Sequence, residues 1–312
     1  MGGWRVVSVV STMAADQVVV TKARSGGAWM RAARRPVLAL LPITVLDLVL
    51  FVFPMLIMAV VSFLQAREFE LSRELTLRNY AFFLGNWIYL KVLLRTVLVA
   101  AWVTAVCLVL AYPFAYFLLE LPRRWQRTFL VLVILPFWTS YLLRVYAWMT
   151  ILGEHGLVNQ GLLFLGILRE PARFLLHSYF AVVVVSVYLY VPYSVLALYT
   201  TLERLDRSLV RAALDLGASP AQAFRHIVLP LSLPGVLASF VFVFIPMLGE
   251  FVTPRLVGGA EAILIVNILV SQLRALRFGV GAAMTFVIAG LVLLLMLAVR
   301  RVVNLERIFG AA

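Results

Sequence analysis

Long apolar intervals, separated by short charged stretches, run through almost the whole chain. Six of them reach about the 20 residues that a helix needs to cross the roughly 30 Å hydrocarbon core of a membrane. They predict spans at about 37–65, 95–119, 128–152, 175–201, 234–257 and 278–300. A seventh apolar interval, Ala262 to Leu273, is too short and predicts an interfacial or re-entrant segment. The pattern therefore predicts an all-α membrane protein built as a six-helix bundle, with a membrane domain over residues 36–302.

The composition excludes a soluble protein, because 64% of the residues are hydrophobic and only 13% are charged. The net charge of +13 does not indicate nucleic-acid binding, since the basic residues lie between apolar runs and not on one aromatic-rich face. They concentrate in the first 35 residues, after spans two and four, and at the end of the chain. This positive-inside pattern predicts that both termini are cytoplasmic.

The terminal segments outside the spans are predicted to be cytoplasmic tails. Residues 1–35 form a basic tail that we expect to be flexible, and residues 303–312 form a second, short tail. Residues 6–15 resemble a signal peptide only weakly, because serines interrupt the apolar region and no small-x-small cleavage site follows. A true start at Met13 or Met30 is the remaining alternative.

The chain lacks the motifs of common enzymes and nucleotide sites. It contains no GxxxxGK[ST] phosphate loop, no GxSxG elbow and no HExxH zinc pair, and its three histidines are widely dispersed. Its one cysteine, Cys107, lies in an apolar run, where packing is the expected role. We therefore predict no enzymatic activity, no metal and no cofactor bound by this chain. Any energy input must come from a partner.

The loop between spans four and five, residues 203–231, has a pattern too regular for a simple connector. Leu209, Ala212, Ala213 and Leu216 follow helical spacing and predict one apolar stripe on a short helix. Gly217 then favours a helix end. A second helix is predicted to start at Ser219, with a Ser-x-x-Gln capping box and Pro220 in its first position, and to be limited by Pro230. Phe224 is the expected apolar anchor of this second helix. Two slim helices in water between two spans suit a docking surface.

The sequence RAALDLG…IVLP in this loop resembles the EAA signature of the permease subunits of ABC importers. The matching positions are Ala212, Ala213, Gly217, Ile227, Leu229 and Pro230. The resemblance implies the type I importer permease fold, with this loop as the coupling helix that docks on an ATPase subunit. Arg211 stands where that family commonly has Glu, so any contact that requires an acid there is not implied.

Three further stretches resemble the spermidine/putrescine importer permeases. They are LPFWTSYLLRVYAWMTILGEHGLVN (135–159), VYLYVPYSVLALY (187–199) and IPMLGEFVTPRLVGG (245–259). The resemblance implies a bacterial inner-membrane importer for polyamine, with two ATPase subunits that hold ATP and Mg, a second, different permease subunit and a periplasmic binding protein. A homodimer of permeases and another small organic solute remain alternatives.

Three charged residues inside the predicted spans are candidates for the solute pathway. Asp47 interrupts span one, and a carboxylate at that depth must face protein or water because exposure to lipid costs about 2.5–3.5 kcal/mol. Arg144 and Glu250 each lie 16 residues beyond the approximate cytoplasmic start of their span, which predicts a matching depth of about 24 Å for both. Glu250 and Asp47 could attract a cationic solute, or Arg144 and Glu250 could form a structural ion pair.

Aromatic residues near these charges complete the predicted pathway. Helical spacing places Trp138 and Tyr141 on one face, and Tyr190 and Tyr193 flank Pro192. Aromatic faces attract ammonium groups by about 0.5–2 kcal/mol, although such residues also serve in ordinary packing.

Two other classes of function stay open: a membrane-embedded enzyme that uses Asp47 or Glu250 as an acid or base, and a self-sufficient channel or ion-coupled carrier. The absence of a catalytic cluster weighs against the first, and the docking loop weighs against the second.

Overall fold

The computed structural model describes residues 42–67 and 70–302, so the predicted tails at 1–35 and 303–312 lie outside the described residues. The helices, in chain order, are α1 (Pro42–Phe63), α2 (Arg78–Leu84), α3 (Trp87–Leu118), α4 (Arg123–Trp138), α5 (Tyr141–Leu152), α6 (Leu157–Phe164), α7 (Tyr179–Leu202), α8 (Arg207–Asp215), α9 (Pro220–Leu248), α10 (Val252–Val257), α11 (Ile265–Arg274) and α12 (Phe278–Val302). By its contacts the chain divides within α1, after Leu56. The packing and the side-chain network below belong to the unit that starts at Ile57.

Five of the described helices are long and apolar enough to cross a membrane, and a bent pair supplies a sixth crossing if it counts as one span. Spans one, two, four and six correspond to α1, α3, α7 and α12, span three to α4 with α5, and span five to α9 with α10. The all-α architecture is confirmed. The one addition in the described ranges is a short antiparallel hairpin of β1 (Leu64–Arg67) and β2 (Glu70–Leu75) between α1 and α2.

Span two begins earlier than its charges suggest. The side chain of Asn86 accepts a 2.9 Å hydrogen bond from the backbone N–H of Ile88 and so caps α3 before Trp87. Lys91 and Arg95 therefore lie inside the helix, near its N-terminal end. The charges that limited the predicted span do not end the helix.

Span three is bent, contrary to the expectation of one straight helix. A 3₁₀ turn at Leu135–Trp138 ends α4, and Thr139 is extended. The run Tyr141–Phe164, which contains α5 and α6, leaves at 94° to α4. Pro136 lies in this turn, where its ring prevents a regular α-helix from continuing. Two predictions that assumed a straight helix are therefore wrong: Trp138 does not share a helical face with Tyr141, and Arg144 does not lie 24 Å along one continuous span.

Span five is also interrupted, but not where Pro230 predicted. The helical run α9 continues through this proline, because the five residues Phe224–Val228, which end two positions before it, form a π-helical turn with a Leu229 N–H to Phe224 C=O bond. The wider turn relieves the clash between the proline ring and the preceding carbonyls. The helix instead ends at Leu248, and α10 starts again at Val252. Glu250 lies in this break.

The core of the described bundle is formed where α3, α7 and α9 pack against one another. Small buried residues on α3 line this contact, among them Ala100, Cys107 and Ala111, each with no exposed surface. Small side chains let helix backbones approach closely, which is the main source of packing energy between helices in a membrane. The packing role expected for Cys107 matches its burial.

Candidate functional site: the docking loop and the Glu250 network

The first helix of the docking loop (residues 203–231) is capped by an acidic side chain. Asp206 accepts a 2.9 Å hydrogen bond from the backbone N–H of Ser208 at the start of α8. This bond lowers the pKa of Asp206, because it favours the charged carboxylate. The side chain of Arg207 donates to the carbonyl of Leu119, just beyond the C-terminal end of α3. The docking loop is therefore attached to span two at its first helix.

The turn between the two docking helices has the predicted chemistry. Gly217 has a φ of +90°, a conformation that L side chains rarely adopt, and a Cβ added there would meet nothing within 4 Å. The capping box is present: Gln222 N–H donates to the Ser219 hydroxyl, and the Gln222 side chain accepts from the Ser219 N–H at 2.8 Å. Pro220 occupies the first helical position. The glycine conformation and local side-chain caps together fix this turn.

Most of the loop residues singled out from the sequence lie at the surface. Those that are exposed are Arg211, Ala212, Gly217, Phe224, Leu229 and Pro230, and those that are partly buried are Ala213 and Ile227. Leu216, which the helical spacing assigned only to an apolar stripe, is the most exposed large apolar side chain of the loop: it is 89% exposed, immediately before Gly217. An apolar side chain projecting from a turn is a signal for docking that helical periodicity does not reveal.

Glu250 lies at the centre of a hydrogen-bond network and is only 6% exposed. Its Oε1 accepts from the Tyr141 hydroxyl at 2.7 Å and from the backbone N–H groups of Val252 and Thr253 at 3.0 and 3.1 Å. Its Oε2 accepts from the Tyr190 hydroxyl at 2.8 Å. All four partners are donors, which suits an ionised carboxylate. The side chain thus caps α10 and joins it to spans three and four.

The ion pair between Arg144 and Glu250, one of the two alternatives left open by the sequence, is not formed. Among the described side chains the salt bridge found is that of Arg173 with Glu154, at 3.5 Å. The guanidinium of Arg144 lies 5.6 Å from the centre of the Phe137 ring, and its buried Nε has no hydrogen-bond partner. The negative charge of Glu250 is therefore held by hydroxyl and amide donors and not by a neighbouring cation.

An aromatic chain connects the two charged residues. The Tyr190 and Tyr193 rings are 6.3 Å apart, and Tyr193 meets Phe137 edge-on at 4.8 Å. The Arg144 guanidinium lies over the Phe137 ring, at the end of this row of aromatic rings that is away from Tyr190. The structure therefore brings together five predicted pathway residues, namely Tyr141, Arg144, Tyr190, Tyr193 and Glu250. It adds two that the sequence did not single out, Phe137 and Thr253.

The two remaining candidates are exposed. Trp138 is 82% exposed in the 3₁₀ turn between α4 and α5. Asp47 is exposed on α1, where it precedes a π-helical turn at Leu48–Val52. Neither is a member of the hydrogen-bonded set around Glu250.

Comparison with known proteins identifies the class of protein that this fold and site define. The model of the family described as "Binding-protein-dependent transport system inner membrane component" matches residues 27–307, and the chain belongs to that family. It is accordingly a multi-pass transport subunit of the inner membrane and not an enzyme.

Two curated relatives resemble the chain over most of its length. The spermidine/putrescine transport system permease protein PotB of Escherichia coli (strain K12) is 39% identical over 263 residues, which cover 82% of this chain and 95% of the relative. The inner membrane ABC transporter permease protein YdcU of the same organism is 34% identical over 244 residues, covering 74% and 77%. Identity at this level places all three in one group of ABC importer permeases.

A solved structure supports the fold independently. A chain of the crystal structure of a bacterial alginate ABC transporter, in complex with an alginate pentasaccharide-bound periplasmic protein, superposes with a TM-score of 0.67. The match covers 88% of this chain and 96% of that chain at 16% identity. At this identity the likeness concerns the type I importer permease fold alone.

Proposed function

We propose that the chain is a membrane subunit of an ATP-driven importer that moves a small organic cation, spermidine or putrescine, by alternating access. The observation that carries the solute assignment is the buried Glu250 carboxylate, which two tyrosines flank and which forms no salt bridge with an arginine of the described residues. The 39% identity with a polyamine permease supports it.

The chemistry of the Glu250 network suits an ammonium group. Oε1 already accepts three hydrogen bonds, whereas Oε2 accepts one, so Oε2 retains capacity for a further donor. The Tyr190 and Tyr193 rings on this side offer π faces to a cation. Tyr193 is 39% exposed, so the aromatic chain reaches the surface of the subunit. Trp138 is included in the proposed pathway, and Asp47 is proposed as a further acidic group that attracts the cationic solute.

The docking loop is proposed to bind an ATPase subunit on the cytoplasmic side. Its surface residues Arg211, Ala212, Gly217 and Leu216 support this role, together with the spacing of Ile227, Leu229 and Pro230. The complete importer would contain two such ATPase subunits, which hold ATP and Mg and supply the energy for transport.

The remaining partners follow from the importer class. A second permease subunit, different from this one, would complete the pathway, and a periplasmic binding protein would deliver the solute. Both termini are proposed to be cytoplasmic, because four predicted spans precede the docking loop and two follow it; the positive-inside pattern supports this orientation.

A specific observation favours one alternative solute class. The Nε of Arg144 is buried without a hydrogen-bond partner, and its guanidinium lies at the end of the same aromatic chain. A zwitterion or a carboxylate could use this donor while Glu250 remains a structural cap. The importer class is the same in both cases, and only the solute differs.

Binding and transport measurements separate these solutes. The complex of this chain with its partners, reconstituted in proteoliposomes, should hydrolyse ATP faster when the binding protein carries spermidine or putrescine. Stimulation by an amino acid or a carboxylate, with none by polyamines, would contradict the solute assignment and leave the importer class intact. Absence of any co-purifying ATPase would contradict the class.

A further inference from the structure

Phe224 was expected to be an anchor for the ATPase, but its ring packs against span two. It lies 5.6 Å from the centre of the Tyr112 ring at an interplanar angle of 82°, and 6.3 Å from Tyr116 at 84°. Both contacts are edge-to-face, the favoured geometry for aromatic pairs. Tyr112 and Tyr116 are four residues apart on α3 and so share one face of that helix. One ring of the docking loop therefore contacts two successive turns of span two.

Other contacts hold the same part of span two. The Tyr112 hydroxyl lies 2.7 Å from the Ser232 hydroxyl on α9, and Ser232 is fully buried. At the other end of the loop, Arg207 donates to the Leu119 carbonyl. A cavity of about 170 Å³ lies between these attachments, and Tyr116, Leu119, Arg207 and Arg211 are among its lining residues. The docking loop thus contacts the C-terminal part of span two at two places, through Arg207 at its start and through Phe224 near its end.

These contacts differ in kind from those of the neighbouring spans. The docking loop is continuous in the chain with α7 on one side and is part of the helical run α9 on the other. Spans four and five must therefore move when the loop moves. Span two has no such connection to the loop. Side-chain contacts attach it instead: the aromatic contacts of Phe224 and the hydrogen bond of Arg207, beside the apolar packing of Leu118 in one cluster with Val228. The π-helical turn that precedes Pro230 begins at Phe224 itself, so this residue lies where the docking helices pass into span five.

We propose that Phe224 is a positioning residue that transmits displacement of the docking loop to span two, and that it does not contact the ATPase. The inference rests on the proposed function, because it requires an ATPase that moves the loop. It assigns the binding of the ATPase to the exposed side of the loop around Leu216, and the transmission of its motion to the aromatic contact on the opposite side.

The test compares Phe224→Ala, Phe224→Tyr and Phe242→Ala in the complete complex. Phe242 is a matched control, because it lies on the same helical run, is 53% exposed and is remote from the docking loop. We expect Phe224→Ala to lower ATP-dependent uptake about tenfold while the ATPase subunits still co-purify at the wild-type ratio. Phe224→Tyr should retain most of the uptake, since it keeps an aromatic edge, and Phe242→Ala should resemble wild type.

A double variant distinguishes transmission from a general structural loss. Tyr116→Ala removes one of the two partner rings, so its effect on uptake should not add to that of Phe224→Ala. Spin labels at positions 120 and 218, in a Cys107→Ala background, should report that the distance between span two and the loop stays constant through the ATP cycle in wild type. In Phe224→Ala the same distance should change on ATP binding.

Several results would overturn the proposal. Loss of the ATPase subunits from Phe224→Ala would show that Phe224 is a docking contact. Normal uptake by this variant would show that Phe224 does not transmit motion of the loop to span two. Failure of Phe224→Tyr to restore uptake would also contradict an aromatic link. If Phe224→Ala does not fold, Phe224→Leu replaces it under the same criteria. If the wild-type chain binds no ATPase, the proposed function fails first, and the inference fails with it.

Discussion

The hydroxyl of Tyr190 donates a 2.8 Å hydrogen bond to Oε2 of Glu250, and this bond joins the middle of span four to the break in span five. The second tyrosine, Tyr141, binds the other carboxylate oxygen from span three. Three spans therefore meet at one buried charge. Any movement that separates these spans must break hydrogen bonds to it or carry Glu250 along.

The first prediction separates the charge of Glu250 from its capping role. Glu250→Gln keeps an acceptor oxygen for the amides of α10, so we expect little loss of thermal stability but at least about a tenfold loss of polyamine uptake. Glu250→Ala leaves two amides and two hydroxyls without their acceptor, so it should destabilise the protein by about 2–5 kcal/mol. Thermal unfolding in detergent, measured beside uptake, checks both. A Gln variant with normal uptake would exclude an electrostatic role.

The second prediction concerns Arg144 and Glu250. Because no salt bridge joins them, a double-mutant cycle of Arg144→Gln and Glu250→Gln should give a coupling energy below about 0.5 kcal/mol. Thermal unfolding of the wild type, the two single variants and the double variant supplies the four values required. A coupling of several kcal/mol, with the double variant restored, would mean that the two residues pair after all.

The third prediction tests the turn of the docking loop. Gly217→Val forces a β-branched residue into a left-handed conformation, at a cost of about 1–2 kcal/mol, although no neighbouring atom would be in the way. We expect the turn to rearrange and ATPase coupling to fall. Gly166→Val is the matched control, since Gly166 also has a positive φ of +70° and open space around it, outside the docking loop. Equal loss of coupling in both variants would argue against a special role for Gly217.

The fourth prediction assigns the ATPase contact to Leu216. Leu216→Asp places a charge on the most exposed apolar side chain of the loop, so the ATPase subunits should no longer co-purify. Leu165→Asp is the control, because Leu165 is 69% exposed and lies in the connection between spans three and four, on the proposed periplasmic side. Retention of the ATPase by Leu216→Asp would move the contact elsewhere on the loop.

The sequence predicted the elements whose signals are local. The interval between charges identified the spans, and the Ser219, Pro220 and Gln222 pattern predicted a capping box that the structure contains. Gly217 was expected at a helix end and has the positive φ that only glycine adopts easily. Caps and turns depend on neighbouring residues, so a single sequence is enough to predict them.

The errors arose where the outcome depends on distant residues or on proline geometry. Pro136 bends span three, whereas the helix continues through Pro230 because a π-helical turn precedes it. The alternative in which Arg144 pairs with Glu250 depended on an equal predicted depth of the two residues along their spans. Because span three is bent, Arg144 does not lie at that depth. Phe224 was correctly placed at the surface loop, but its partners Tyr112 and Tyr116 lie more than a hundred residues earlier, and no local pattern identifies them.

The most direct test of the central claim is ATP hydrolysis by the reconstituted importer, formed by this chain, its second permease and two ATPase subunits. The rate is measured with the periplasmic binding protein empty, or loaded with spermidine, putrescine, an amino acid or a dicarboxylate. The account predicts stimulation by the polyamine-loaded protein alone, and its loss in Glu250→Gln. Stimulation by the dicarboxylate or amino acid in place of polyamines, or solute movement without any ATPase, would contradict it.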